Sequence, residues 1–309
     1  MNKQSGQPLR LGIDLGGTKI AAVVLDDDGH VAWHDRVDTP RHDYGATVQA
    51  LVALVRAAES HVGASCSVGV GMPGALSPST GLVKNANSTW LNGRSFKRDL
   101  EAELGRVVRC ANDANCLVVS EAADGAAADA HLVFGVILGT GVGGGIVAGG
   151  TLVTGPNAVA GEWGHNPLPW PTSGEAPGPA CYCGRRGCIE TFLSGPALTA
   201  DYRTRGGDAL TGERIVALAA AGDGRAADVL AAWHGRLARA LATVVNMLDP
   251  DAIVVGGGLS RIGSIYDDVP RLWNEWVFSD TVTTRLVPAA HGDSSGVRGA
   301  AWLWPRRIR

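Results

Sequence analysis

Three cysteines crowd into one short segment, Cys181-Tyr182-Cys183-Gly184-Arg185-Arg186-Gly187-Cys188, and His165 precedes them across a stretch rich in Gly, Pro and Trp. Three thiolates and one imidazole make a closed tetrahedral ligand set. That is the form of structural Zn²⁺, not of a metal that activates water. In a reducing compartment the spacing favours a metal over a disulfide, and buried reduced thiols are the plainer alternative. A metal held there would order the loop around it. Cys66, Cys110 and Cys116 lie among apolar neighbours and read as buried thiols.

Carboxylates flank this cluster. Glu162 sits in Gly161-Glu162-Trp163-Gly164-His165, and Glu190 closely follows Cys188. Zinc on His165 and Cys188 would pin both glutamates. A third carboxylate, Asp113, follows Asn112 where a strand over Val107 to Cys110 gives way to a helix over Asn112 to Gly125. Strand C-terminal ends face the crevice where α/β proteins bind ligands. Taken alone, Asp113 reads equally well as a helix N-cap. With Asn112 and Asn87 the three carboxylates offer fixed acceptors for a polyhydroxylated ligand, whose unpaired hydroxyl partners would be costly.

Two glycine-rich hairpins look like copies of one another. Gly12-Ile13-Asp14-Leu15-Gly16-Gly17-Thr18-Lys19 leads into the apolar run Ile20 to Leu25, and Gly135-Val136-Ile137-Leu138-Gly139-Thr140-Gly141 leads into Ile146 to Ala148. Backbone N–H groups in such turns can hold a phosphate, because glycine lets the chain approach the anion. The glycine amides and the Thr18 hydroxyl would donate to phosphate oxygens, and Asp14 would help hold Mg²⁺ through water. Lys19 either adds positive charge or is a solvated strand lysine. Gly139, Gly141 and Gly144 also match a dinucleotide fingerprint, but that needs a helix after the glycines. Here Ile146-Val147-Ala148-Gly149-Gly150 reads as strand and turn. No GxxxxGK[ST] P-loop occurs either. Gly256-Gly257-Gly258, after a buried strand, is a third close-approach site or a plain β-to-α turn.

The elements that must position these residues follow from periodicity. Leu9 to Asp14, Ile20 to Leu25 and His30 to Val37 read as strands, with Asp28-Gly29 as a hairpin signal. Tyr44 to Val62 has helical spacing, with Val48, Leu51, Val52 and Val55 on one face. Val68 to Met72 is a strand and Arg98 to Leu104 a helix. Leu132 to Leu138, Gly145 to Ala148 and Thr151 to Thr154 repeat the three-strand opening. Pro156 to Glu190 is irregular, Ala226 to Leu248 a long helix, Ala252 to Val255 a strand and Val297 to Trp304 a last helix. One phosphate turn per half predicts an α/β chain of the actin-like ATPase and sugar-kinase fold, two related α/β lobes around a central cleft. The expected lobes are 1–125, joined by the C-terminal segment 297–309, and 126–296, which carries the zinc-binding loop.

At 309 residues two domains are the better prior, and 45% hydrophobic with 18% charged residues suits a globular enzyme. A formal charge of -3 gives no support to nucleic-acid binding. No apolar run is long enough for a membrane helix, and Met1 to Pro8 is short and polar, so a cytoplasmic location is the expectation.

Gly161 to His165 matches Gly-Glu-x-Gly-His, and Cys181 to Glu190 matches Cys-x-Cys-Gly-x-x-Gly-Cys-x-Glu. On these motifs the chain, from about Leu11 onward, resembles the ROK family of sugar kinases and repressors. Lys84 to Gly93, Gly161 to Trp170 and His291 to Pro305 look more narrowly like bacterial fructokinases of the manno(fructo)kinase type. The resemblance implies ATP-dependent phosphorylation of a hexose at O6, fructose first and mannose or glucose also. It implies Asp113 as general base, and a sugar held by Asn87, Asn112, Glu162, His165, Glu190 and the backbone of Gly74. One ring nitrogen of His165 would face zinc and the other the sugar. Gly16, Gly17, Thr18, Gly139, Thr140 and Gly141 would take the phosphates, and Gly257 and Gly258 the adenosine side. A homodimer is implied in the same way. Pro167 to Ala180 is longer than the corresponding loop of many relatives.

The alternatives within the family are a glucokinase, a mannokinase or an N-acetylhexosamine kinase, since the catalytic residues would meet hydroxyls these sugars share. A sugar-responsive regulator is disfavoured because no helix-turn-helix precedes the first strand. A polyphosphate donor is disfavoured by the acidic balance and lack of a basic run.

Overall fold

The computed structural model describes residues 9–306. The polar stretch Met1 to Pro8 and the last three residues of the expected C-terminal segment lie outside the described residues. The chain divides into two compact units. One comprises Met1–Ala128, Gly150–Ala160 and Asp293–Arg309, the other Asp129–Gly149 and Gly161–Gly292. Among the described residues no helix is long and apolar enough to cross a membrane.

The first unit contains β1 (Arg10–Leu15), β2 (Lys19–Leu25), β3 (Val31–Asp38), α1 (Tyr44–Val62), β4 (Ser67–Met72), α2 (Phe96–Leu104), β5 (Val108–Asn112) and α3 (Asp113–Ala123). The sheet order is β3-β2-β1-β4-β5. The β1–β2–β3 pairings are antiparallel, and β4 runs parallel to both β1 and β5. Leu11, Ile13, Ile20, Val24, Val68 and Val70 are buried in its core. Helix α1 starts where the Asp43 carboxylate accepts the Ala46 N–H at 2.9 Å, and it stops at Gly63 in the left-handed region. Its buried face includes Val48, Leu51, Val52 and Val55, as the spacing predicts.

The C-terminal helix Ser295–Trp302 packs against β1, β4 and α3 of this unit. It comes so close that only glycine fits beneath it. A Cβ at Gly12 would lie 2.1 Å from the Val297 carbonyl oxygen, and one at Gly69 only 1.9 Å from that of Ala300. On the helix itself, a Cβ at Gly299 would strike the Cys116 carbonyl oxygen at 1.7 Å.

The second unit contains β6 (Leu132–Leu138), β7 (Val142–Ala148), α4 (Gly195–Thr204), α5 (Gly212–Ala220), α6 (Gly224–Leu248), β8 (Ala252–Gly256), α7 (Ile265–Trp273) and β9 (Arg285–Pro288). Its strands lie in the order β7-β6-β8-β9. The β6–β7 hairpin is antiparallel, and β8 is parallel to both β6 and β9. The layout repeats that of the first unit, where the β1–β2 hairpin has parallel β4 beside β1. Helix α6 is capped by Asp223, which accepts the Ala226 N–H at 2.7 Å, and it buries Val229, Trp233, Leu237 and Leu241. Helices α4, α5 and α7 and strand β9 are additions to the sequence-based elements. In α7 the stripe Ile265, Val269 and Trp273 is fully helical in spacing, but Pro270 inside the helix reads as a breaker.

Gly69→Ala is expected to cost about 1–3 kcal/mol or more, because helix or sheet must retreat from the new methyl group. Urea unfolding of the variant beside wild type measures it. An unchanged midpoint would mean that the helix is not seated as described.

Candidate active site

The candidate residues fall on both units. In the first unit the turn between β1 and β2 is closed by the Gly16 N–H donating to the Lys19 carbonyl at 3.0 Å. A Cβ at Gly16 would meet that same carbonyl oxygen at 2.8 Å. Thr39 braces the turn twice: its N–H donates to the Thr18 carbonyl and its hydroxyl to the Gly16 carbonyl, at 2.9 and 2.8 Å. Gly17 and Thr18 are exposed. Lys19, read as a candidate phosphate contact, is ion-paired with Asp38 across β2 and β3. Arg41, which the sequence reading missed, reaches the turn instead. Its guanidinium donates to the Gly17 carbonyl and to Thr18 Oγ1.

The two candidate carboxylates of this unit stand at the ends of the strands on either side of β4. Asp14 lies at the end of β1, and Asp113 follows β5. Asn112, not Asp113, is the helix cap: its side chain accepts the Asn115 N–H at 2.7 Å. Asp113 occupies the first turn of α3, with Oδ1 accepting the Ala114 N–H at 2.9 Å. Asp113 keeps access to solvent, yet protein crowds it, and the lost hydration raises its pKa. Asp14 is pushed up to about 6, first by burial and then by the charge of Asp113, against the pull of Arg36. Arg36 offsets only part of this rise, which fits Asp14 as a partner of hydrated Mg²⁺.

Gly74 and Asn87 are brought together by the loop after β4. Gly74 has φ +72°, and a Cβ there would lie 2.3 Å from the Lys84 carbonyl oxygen and 2.7 Å from the Ala86 nitrogen. Asn92 holds the loop by accepting the Ala86 N–H and donating to the Ala86 carbonyl, both at 2.9 Å. Asn87 is exposed, and the buried Ser88 beside it borders Gly17.

In the second unit the turn between β6 and β7 is closed by Gly139 N–H donating to the Gly141 carbonyl at 3.0 Å. Gly257 abuts the same place, since with φ +82° its Cβ would lie 2.5 Å from the Leu138 carbonyl oxygen. A short 3₁₀ turn, Gly258–Arg261, follows, and Gly258 is exposed with open space around it. Residues 161–165 lie directly on β7. A Cβ at Gly144 would meet the Gly161 carbonyl oxygen at 2.6 Å, and one at Gly164 the Val142 carbonyl oxygen at 2.2 Å. Buried Trp163 locks this contact, donating its indole N–H to the Gly143 carbonyl at 3.2 Å. Glu162 is exposed at the edge of this turn.

The four expected metal ligands converge. The ligand atoms of His165, Cys181, Cys183 and Cys188 all lie within 4.8 Å of one another. Cys183 Sγ is 3.6 Å from Cys188 Sγ, and Cys181 Sγ is 3.6 Å from His165 Nδ1. A tetrahedron of zinc–sulfur bonds has edges of about 3.7 Å, so the set fits Zn²⁺ as it stands. The Arg185 N–H holds the Cys183 thiol below its ordinary pKa, toward the thiolate a metal needs. His165 Nε2 points away from the thiols and lies 2.9 Å from the Tyr182 hydroxyl. Glu190, two residues past Cys188, uses Oε2 to accept the Val142 N–H at 2.9 Å, and a Cβ at Gly141 would lie 2.7 Å from that oxygen. One of its carboxylate oxygens is therefore committed to the β6–β7 turn.

The long loop after His165 is strapped to α6. Glu175 accepts from Arg236 at 2.7 Å and from Arg239 through both of its oxygens at 2.9 Å. Arg239 also donates to the Trp170 carbonyl. Burial would raise the Glu175 carboxyl, but the two guanidiniums outweigh it and hold its pKa down at about 2.

Residues 10–307 match the ROK family model. An N-acetyl-D-glucosamine kinase of Yersinia enterocolitica is 39% identical over 94% of this chain and 98% of its own. A ROK hexokinase from Thermus thermophilus superposes with a TM-score of 0.84 at 30% identity, covering 95% of this chain and 97% of the other. A ROK-family glucokinase from Streptomyces griseus, in complex with glucose and AMPPNP, gives a TM-score of 0.75 at 30% identity over 96% and 98%. Fold and site define a sugar kinase with the actin-like ATPase fold. The chain belongs to the ROK family.

Asp14 carries a pH signature. Its folded pKa lies above the unfolded value of 3.8, so the proton it binds favours the folded state below pH 4. That contribution is lost as pH rises through about 6. With Mg²⁺ withheld, Asp14→Asn is expected to be more stable than wild type by about 1–2 kcal/mol at pH 8, after discounting for partial solvent access. The gap should close toward pH 4. Denaturant titrations across that range test it, and a gap independent of pH would refute the assignment.

Proposed function

We propose that this kinase transfers the γ-phosphoryl group of ATP to O6 of N-acetyl-D-glucosamine, with Asp113 as general base. The observation that carries the reading is the likeness to an N-acetyl-D-glucosamine kinase over nearly the whole of both chains. It moves the substrate from fructose, to which the stretches around Lys84, Gly161 and His291 pointed, to the N-acetylhexosamine alternative. The AMPPNP held by the Streptomyces relative supports ATP as donor.

In this reading Asn87, Asn112, Glu162, His165 and Glu190, with the Gly74 backbone, hold the sugar. Asp113 accepts the O6 proton as the bond from O6 to phosphorus forms and the bond to the ADP oxygen breaks. Its raised pKa makes it the stronger base for that task. Gly16, Gly17, Thr18, Gly139, Thr140 and Gly141 hold the phosphates by amide and hydroxyl donation, and Gly257 and Gly258 border the nucleoside. Asp14 holds Mg²⁺ through water, and the ion when bound neutralises charge on the phosphates. His165, Cys181, Cys183 and Cys188 hold a structural zinc, which when bound fixes the loop carrying Glu162 and Glu190.

Coupled ADP-release assays on N-acetylglucosamine, fructose, glucose and mannose should give the first a kcat/KM at least tenfold above the others. Fructose as the best substrate would overturn the sugar assignment and leave the kinase reading intact. Asp113→Asn should lower kcat by about 10²- to 10⁴-fold, with sugar binding by calorimetry largely preserved. Elemental analysis should find zinc bound at one equivalent per chain, and chelation should weaken sugar binding. A metal-free protein that binds sugar normally would disprove the coupling.

A further inference from the structure

We propose that Arg41 is the cation of the first phosphate turn, holding Thr18 in its donating orientation and adding a guanidinium to the ATP phosphate site. The inference deepens the proposed function and rests on it. It starts from an imbalance of charge. A nucleoside triphosphate brings several negative charges to a turn that already has Asp14 at its base. Lys19, the lysine within the turn motif, is turned to an exposed ion pair with Asp38.

Arg41 fills that role from outside the motif, beyond the end of β3. Its Nε donates to the Gly17 carbonyl at 3.1 Å and its Nη2 to Thr18 Oγ1 at 2.7 Å. The first contact uses a carbonyl that would otherwise present negative charge on the turn. The second has a directional consequence. A hydroxyl carries one hydrogen and two lone pairs. With a lone pair of Thr18 Oγ1 occupied by Arg41, its hydrogen is directed away from the guanidinium and is available to a phosphate oxygen. Among the described residues Nη1 of Arg41 has no hydrogen-bond partner, and the side chain is exposed. An arginine fork with an open amino group beside glycine amides matches phosphate geometry in a way an ammonium does not.

Steady-state kinetics of Arg41→Ala and Arg41→Lys, each also in a Thr18→Val background, test this. Arg41→Ala should lower kcat/KM for ATP at least tenfold, with the KM for sugar and the melting temperature unchanged. Arg41→Lys should recover only part of the loss. If Arg41 acts through Thr18, its loss should cost at least threefold less once the Thr18 hydroxyl is gone. Unchanged ATP kinetics in Arg41→Ala, or fully additive losses, would overturn the inference. Calorimetry with a non-hydrolysable ATP analogue separates it from the parent reading. Tight analogue binding without turnover of any hexose would sink the proposed reaction, while analogue binding by Arg41→Ala equal to wild type would sink the role of Arg41.

Discussion

The hydrogen bond from the Val142 amide to the Glu190 carboxylate ties the metal-binding segment to the phosphate turn of the second unit. Glu190 stands two residues past a zinc-type ligand, and Val142 is the first residue after Gly141. An error in either segment is therefore transmitted to the other. A charged acceptor on a backbone N–H is among the stronger hydrogen bonds a protein makes, and it is geometrically demanding. Glycine at 141 is a requirement of this contact, since any Cβ would collide with the accepting oxygen. The glycine at this position thus meets a need of its own, the close approach of a carboxylate.

Backbone-to-backbone proximity organises the rest in the same manner. Residues 161–165 can lie on β7 because Gly144, Gly161 and Gly164 present no side chains at the crossing. Trp163 then fills the space beside it, edge-on to Phe134. In the first unit Gly12, Gly69 and Gly299 allow the C-terminal helix to seat between sheet and α3. Such contacts bury little apolar area per residue, but they leave no tolerance for a methyl group. Many of the chain's glycines are explained by packing as directly as by ligand binding.

How much of this was legible in the sequence depended on whether a signal was local. The hairpins, α1, α6 and the strands of both sheets other than β9 carry periodicity within their own segments, and they form where the spacing predicts. The cluster of His165 with three cysteines was legible because ligand chemistry restricts which residue types may converge. Long-range hydrogen bonds were not. Nothing in the local sequence distinguishes Arg41 from an ordinary surface arginine, or pairs Lys19 with Asp38 across two strands. Taken alone, Asp113 reads equally well as the N-cap of α3, yet Asn112 fills that place, because either residue type caps well and the choice turns on one residue of helix phase. Helix α7 escaped notice through Pro270, although the stripe of Ile265, Val269 and Trp273 is regular.

The identity of the sugar is a different kind of problem. Asparagine and carboxylate side chains that grip hydroxyls common to all hexoses carry little information about what distinguishes one hexose from another. Discrimination of an N-acetyl group needs shape and a matched polar partner at one ring position. In the second unit the loop after His165 is a long segment with little regular structure. That loop is not loose. Glu175 is clamped by two arginines of α6, and Arg239 also grips the Trp170 carbonyl. Breaking one partner of such a buried pair costs several kcal/mol, so the ion cluster restrains the middle of the loop in addition to any metal held at its ends. A loop flanked at both ends by members of the His165–cysteine cluster and clamped in its middle by a buried ion cluster has the rigidity that discrimination by shape requires.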